Sequence, residues 1–96
     1  MAKGVRQRSK HEWVDKKRFT DRARKIEGQA AGIARMIESD RTCADILQQI
    51  AALNSAAQQL AVLLVEDHVQ ARCREGLDAS EVASEVTTLL RRTLKL

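Results

Sequence analysis

From Thr42 to Glu75 the chain runs without a glycine or a proline, and its apolar side chains return at intervals of three and four. Ile46, Leu47, Ile50, Leu53, Ala57, Leu60, Ala61, Leu64, Val65 and His68 fall on one broad stripe, the pattern of an amphipathic α-helix. Thr42 suits the N-cap with Asp45 three residues on, and Gly76 offers the stop. Roughly 33 helical residues extend about 50 Å at ~1.5 Å each. In a chain of 96 residues, no flanking element can cover both sides of so long a stripe. A chain of this size also buries only about two thirds of its unfolded surface on its own. A second chain is therefore expected against the helix, and two-fold pairing is the default for a homo-oligomer.

The flanks also read as helices. Phe19, Ala23, Ile26, Ala30, Ile33 and Ile37 predict a first helix from Val14 or Lys16 to Glu38, followed by a turn at Ser39-Asp40-Arg41. Gly28 and Gly32, four apart inside it, suggest a close helix approach, because each costs about 1 kcal/mol relative to alanine. Asp78 with Glu81 repeats the capping pattern ahead of a third helix bearing Val82, Val86, Leu89, Leu90 and Leu94. Trp13 and Phe19 are the sole aromatic residues and proline is absent, so Ala, Leu, Ile and Val must fill the core. That composition favours helices packed through small side chains over a β-sandwich. The expected fold class is all-α, a short–long–short three-helix protomer that forms an antiparallel dimer. The expected organisation is a basic, flexible N-terminal arm over 1–14 and one helical domain over 15–96.

Charge is concentrated at the N-terminal end. Residues 1–41 hold twelve Lys/Arg against six Asp/Glu, whereas residues 42–96 hold five against seven. Ten of the basic residues lie within the first 25 positions. This asymmetry points to a polyanion, with nucleic acid favoured over membrane because residues 3–18 show no apolar face opposite their charges. The plainer reading is a solubilising tail. The longest apolar run, Leu60 to Val65, is far short of a membrane span and stops at Glu66-Asp67. No apolar segment follows the basic N-terminus, so a secretory leader is not expected. Two cysteines do not make a disulfide framework, and a reducing cytoplasm is the expected compartment.

Cys43 and His68 lie 25 positions apart, which returns them to within about 20° of one azimuth at ~100° per residue. One helix would hold them about 37 Å apart, too far to share an ion. An antiparallel copy centred between Ser55 and Ala56 sets Cys43 opposite the partner's His68, Ile46 opposite the partner's Val65, Leu47 opposite the partner's Leu64 and Ile50 opposite the partner's Ala61. Two equivalent Cys/His sites follow, each built from both chains. A thiolate with an imidazole suits copper(I), nickel, cobalt or zinc. Two ligands fall short of a structural zinc site, and two satisfied core residues remain the alternative.

Arg24-Lys25-Ile26-Glu27-Gly28-Gln29, Gly32-Ile33 and Arg35-Met36-Ile37-Glu38 resemble the first helix of the CsoR/RcnR family of bacterial repressors. Cys43-Ala44-Asp45-Ile46-Leu47-Gln48-Gln49-Ile50-Ala51-Ala52 and Glu66-Asp67-His68 resemble its second helix. The resemblance covers about residues 15–95. It implies three-helix protomers paired as dimers and assembled into a flat homotetramer. It also implies a repressor without a helix-turn-helix that leaves double-stranded operator DNA when an inducer binds.

Carried over singly, the family's thiol falls on Cys43 and its histidine on His68. An N-terminal ligand of the nickel- and cobalt-type members falls on His11, which otherwise reads as an exposed residue of a basic tail. The remaining ligand position, four after the histidine, is Arg72, whose guanidinium does not ligate. Cys73 lies one residue too late and points elsewhere on the helix, which favours a structural or surface role. The expected inducer is a transition-metal ion, Cu(I) or Ni(II)/Co(II), with Zn(II) also compatible. The alternative is formaldehyde or another electrophile or oxidant acting at Cys43.

The family's basic first-helix positions map onto Arg22 and Lys25, with Gln29 a turn further. Lys16, Lys17 and Arg18 are expected to add phosphate contacts, a solvated face being the other reading. An enzyme is not expected: the one Cys/His pair lies on an oligomer seam with no oxyanion-binding glycine loop. A helical interaction module with an inert Cys43 is a further alternative.

Overall fold

The computed structural model describes residues 13–94, the last of them by its backbone alone. These residues form three helices and no strand: α1 (Lys16–Glu38), α2 (Cys43–Arg74) and α3 (Ala79–Leu94). Each boundary has a local cause. Asp15 caps α1 by accepting a 3.3 Å bond from the Arg18 amide. Thr42 caps α2 through Oγ1, which accepts from the Asp45 amide at 3.1 Å, while the Asp45 carboxylate accepts from Arg41 Nη2. At α3 the capping box is reciprocal: Glu81 N donates to Asp78 Oδ1 at 2.9 Å, and Asp78 N donates to Glu81 Oε1 at 3.1 Å.

Both turns close on a left-handed residue. Gly76, at φ 91°, ends α2 with bonds from Gly76 N to Cys73 O and from Leu77 N to Arg72 O. Asp40, at φ 57°, makes the same pair of bonds at the end of α1, from Asp40 N to Ile37 O and from Arg41 N to Met36 O. The turn after α1 thus carries the left-handed strain on a residue with a Cβ.

The chain divides into two compact units, one of residues 15–66 and one that joins Val14 to the residues from Asp67 onward. In the first, the less exposed positions of α1 are Phe19, Arg22, Ile26, Gln29, Ile33 and Met36. Ala23, Ala30 and Ile37, expected on the packed face, are exposed. The stripe is turned so that Arg22, Gln29 and Met36 replace them. On α2 the half-buried positions of this unit include Ile46, Leu53, Ala56, Leu60 and Leu63, while Leu47, Ile50, Ala57, Ala61 and Leu64 lie open. The long helix therefore carries two apolar faces, and its own chain uses one. A Cβ on Gly28 would meet nothing within 4 Å, and one on Gly32 would meet only the end of the Arg35 side chain. The close approach that the glycines suggest is not made among the described residues.

In the second unit, Ala71, Arg72 and Val82 are buried with Asp67, and His68, Val69, Glu85, Val86 and Leu89 are half-buried. An open apolar groove there is lined by Val69, Cys73, Val82 and Val86 among others.

Candidate sensor site and nucleic-acid face

His68 lies near the end of α2 and is met by a residue of α3. Glu85 Oε1 is 3.1 Å from His68 Nε2. The same oxygen accepts from Arg72 Nε at 3.0 Å, and Glu85 Oε2 accepts from Arg72 Nη2 at 2.7 Å. Arg72 Nη1 donates to Glu75 Oε1. Arg72 is thus held by two carboxylates with its side chain 7% exposed. The bond to Glu85 raises the guanidinium's pKa, and burial pulls the other way. The Glu85 carboxyl is held below its ordinary value, chiefly by Arg72, with His68 also lowering it and burial opposing. Glu85 is therefore an acceptor at neutral pH, so the bond at Nε2 is donated by the imidazole. Of the two neutral tautomers, this bond selects the one with its proton on Nε2.

This arrangement has the form of a histidine oriented by a carboxylate, as metal-binding imidazoles commonly are. Sequence reasoning does not single out Glu85. Its readable signal is a charge on the inner face of α3, in the stripe with Val82, Val86 and Leu89. Arg72 meets Glu75, just past the end of α2, and Glu85 of α3 supplies the rest.

Cys43 is the first residue of α2 and is exposed. On one continuous helix it stands 25 positions, or about 37 Å, from His68, so a single chain does not bring the pair to one ion. Among the described residues no three His, Cys, Asp or Glu side chains gather into a group able to hold a metal. Cys73 is exposed and free at the edge of the apolar groove. His11 lies outside the described residues.

Asp67, adjacent to His68, is only 6% exposed. Its Oδ1 and Oδ2 both accept from the Val14 amide, at 3.1 and 3.2 Å.

The candidate DNA-contacting residues all lie on α1. Lys16, Lys17, Arg18 and Lys25 are exposed, whereas Arg22 and Gln29 are half-buried. Lys17 pairs with Asp21 at 2.8 Å, which raises its pKa through that hydrogen bond. Arg24 pairs with Glu27 at 3.2 Å. Both pairs are exposed, and exposed pairs of this kind hold too weakly to keep a lysine or arginine from a phosphate. Among the described residues, no helix is long and apolar enough to cross a membrane.

Among the described residues the chain is thus all-helical, with a basic first helix and, on its long helix, a histidine bonded to a carboxylate of α3. Residues 15–92 match the model of the metal-sensitive transcriptional repressor family, and the chain belongs to that family. It is 37% identical over 76 residues to the copper-sensing transcriptional repressor CsoR of Bacillus subtilis, covering 79% of this chain and 75% of that protein. It is 46% identical over 54 residues to the copper-sensing transcriptional repressor RicR of Mycobacterium tuberculosis, covering 56% of each. An uncharacterized protein in the bioA 5' region of Serratia marcescens is 37% identical over 75 residues, covering 78% of each. No solved structure matches the chain.

Proposed function

We propose that this chain represses transcription by binding double-stranded operator DNA in the cytoplasm, and leaves it when a transition-metal ion joins Cys43 of one copy to His68 of another. The observation that carries this reading is the Glu85–His68 bond, which orients the imidazole through Nε2 as carboxylate partners orient metal-binding histidines. Sensing copper is what the CsoR and RicR relatives are named for. Copper(I) is the leading inducer, since thiolate and imidazole are soft ligands and Arg72, locked between two carboxylates, supplies no donor. Ni(II), Co(II) and Zn(II) would need further ligands, of which His11 is the candidate in the sequence.

The open face of α2 supports assembly of the site from two chains. Leu47, Ile50, Asn54, Ala57, Ala61 and Leu64 continue at alternating steps of three and four from Cys43 to His68. The series is symmetric about the point between Ser55 and Ala56, so an antiparallel copy meets it in register. Apolar pairs then flank each Cys/His site, and pairing of such dimers would give the tetramer. The exposed cations of α1 supply phosphate contacts, and the sequence adds Lys3, Arg6, Arg8 and Lys10 ahead of them. Without a separate recognition helix, groove shape carries much of the sequence reading.

The test is anisotropy of a labelled duplex from upstream of the chain's own gene. Reduced protein is added first, followed by copper(I), nickel, cobalt, zinc or formaldehyde in separate titrations. Release by copper(I) that is lost in Cys43→Ala and in His68→Ala is the expected result. The exposure of Cys43 favours a second reading, a thiol that reacts with an electrophile. Release by formaldehyde alone, surviving His68→Ala, would establish it in place of the first.

A further inference from the structure

We propose that Asp67 is a positioning residue that ties the N-terminal segment to the turn of α2 carrying His68, and so passes inducer binding on to that segment's DNA contacts. The coupling half of this inference rests on the sensor reading above, whereas the tie itself rests on geometry alone. Asp67 is almost fully buried, and both of its oxygens accept from one backbone amide, that of Val14, 53 residues away in sequence. A carboxylate accepting from a backbone N–H is among the stronger hydrogen bonds, and a buried one that loses its donor is costly. Loosening the tie would therefore be felt both in this turn of α2 and in the N-terminal segment.

Its position in the chain matters as much as its strength. On one side, Asp67 adjoins His68, whose ring is held by Glu85 of α3, so this turn of α2 is bonded both to α3 and to the N-terminal segment. On the other side, Val14 stands in the middle of the basic run. Lys3, Arg6, Arg8 and Lys10 precede it, and Lys16, Lys17 and Arg18 follow in the first turn of α1. A ligand that draws on His68 must move or load the turn it shares with Asp67. The Val14 amide is the point at which that load enters the basic segment. Asp67 has no place among the proposed metal ligands or along the proposed seam between chains.

Trp13, the single tryptophan, is next to Val14 and 40% exposed, so its emission reports on the tie directly. The experiment titrates copper(I) anaerobically into the full reduced chain, following Trp13 emission and the ultraviolet thiolate–copper absorption, and then measures affinity for the labelled operator duplex. It compares the native chain with Asp67→Ala, which removes the acceptor, and with Val14→Pro, which removes the Val14 amide hydrogen and leaves the sequence of α2 unchanged.

In the native chain, copper(I) should shift Trp13 emission. In both variants copper should bind with the same stoichiometry and the Trp13 response should vanish. The factor by which copper weakens DNA binding should fall at least about tenfold, within the usual range of allosteric coupling. A native Trp13 response and a native coupling factor in Val14→Pro would overturn the proposal. So would a silent Trp13 in a native chain that binds copper and releases DNA. If Asp67→Ala loses its helical circular dichroism, Val14→Pro decides alone. If copper neither binds the native chain nor frees it from DNA, the sensor reading fails, and the tie is judged on metal-free DNA binding. A tie that positions the basic segment then gives Val14→Pro a weaker affinity, with a salt slope shallower by about 0.9 for each phosphate the segment no longer neutralises. An unchanged slope and affinity would overturn it.

Discussion

Glu85 serves two cationic or proton-donating groups at once, accepting from His68 with one oxygen and from Arg72 with both. Replacing it by glutamine keeps the shape but removes the charge that balances a guanidinium whose side chain is 7% exposed. Because Glu85 is itself 30% exposed and Glu75 still holds Arg72, the loss should be about 1–3 kcal/mol rather than the larger cost of a fully buried pair. Urea denaturation of Glu85→Gln at neutral pH checks this; a midpoint equal to the native one would show that the cluster adds nothing to the fold. The same variant should weaken copper binding about 10- to 100-fold, the usual effect of removing the carboxylate behind a ligating histidine. That Cys43 and His68 share one long helix was legible in the sequence, because helical periodicity is a local property. Glu85 was not, since its link to Arg72 spans 13 residues and crosses to another helix. The bond between Asp67 and Val14, 53 residues apart, leaves no periodic trace at all.

At the scale of the element, helix ends were the most legible part of the fold. Thr42, Gly76 and the Asp78/Glu81 box all act where their side-chain chemistry and conformational freedom place them. Two helix ends with the same bonds but different residues should respond oppositely to exchange. Gly76→Ala forces a Cβ into φ 91° and should cost about 1 kcal/mol. Asp40→Gly relieves φ 57° and removes a carboxylate from a helix C-terminus, but it loosens the unfolded chain; the gain should be smaller, about 0.5 kcal/mol. Thermal unfolding of the two variants should shift in opposite directions, and a shared sign would refute the argument. Which face of α1 packs was less legible, because alanine and isoleucine at 23, 30 and 37 look as apolar as the true stripe. The stems of Arg22 and Gln29 can lie along apolar surface with their polar ends in water. Gly28 also reads differently in the structure. With open space where its Cβ would stand, Gly28→Ala should stabilise the folded chain by about 1 kcal/mol. Destabilisation instead would place a second chain against that spot.

For the molecule as a whole, the decisive quantity is the apolar surface that one chain leaves open. Leu47 is 58% exposed, Ile50 44% and Leu64 38%, all on a helix whose opposite face is already occupied within the first unit. From the sequence so long a stripe is expected to take a partner, but its two faces merge into one, because stripes a residue apart overlap in a periodicity count. Separated, the open face has the two-fold order described above, and the antiparallel pairing proposed for it sets Ile50 against the partner's Ala61. Ile50→Glu would then bury an uncompensated carboxylate twice per dimer, at several kcal/mol. Sedimentation velocity should show the native chain as a dimer or larger and the variant shifted towards monomer. The same substitution lies about 10 Å along the helix from Cys43 and touches neither proposed ligand. If the site is shared between chains, Ile50→Glu should nevertheless lose high-affinity copper(I) binding, because Cys43 and His68 no longer meet. Native copper affinity in a monomeric variant would place the metal within one chain and end the two-chain account. Loss of both properties together would tie assembly and sensing to the same face of α2.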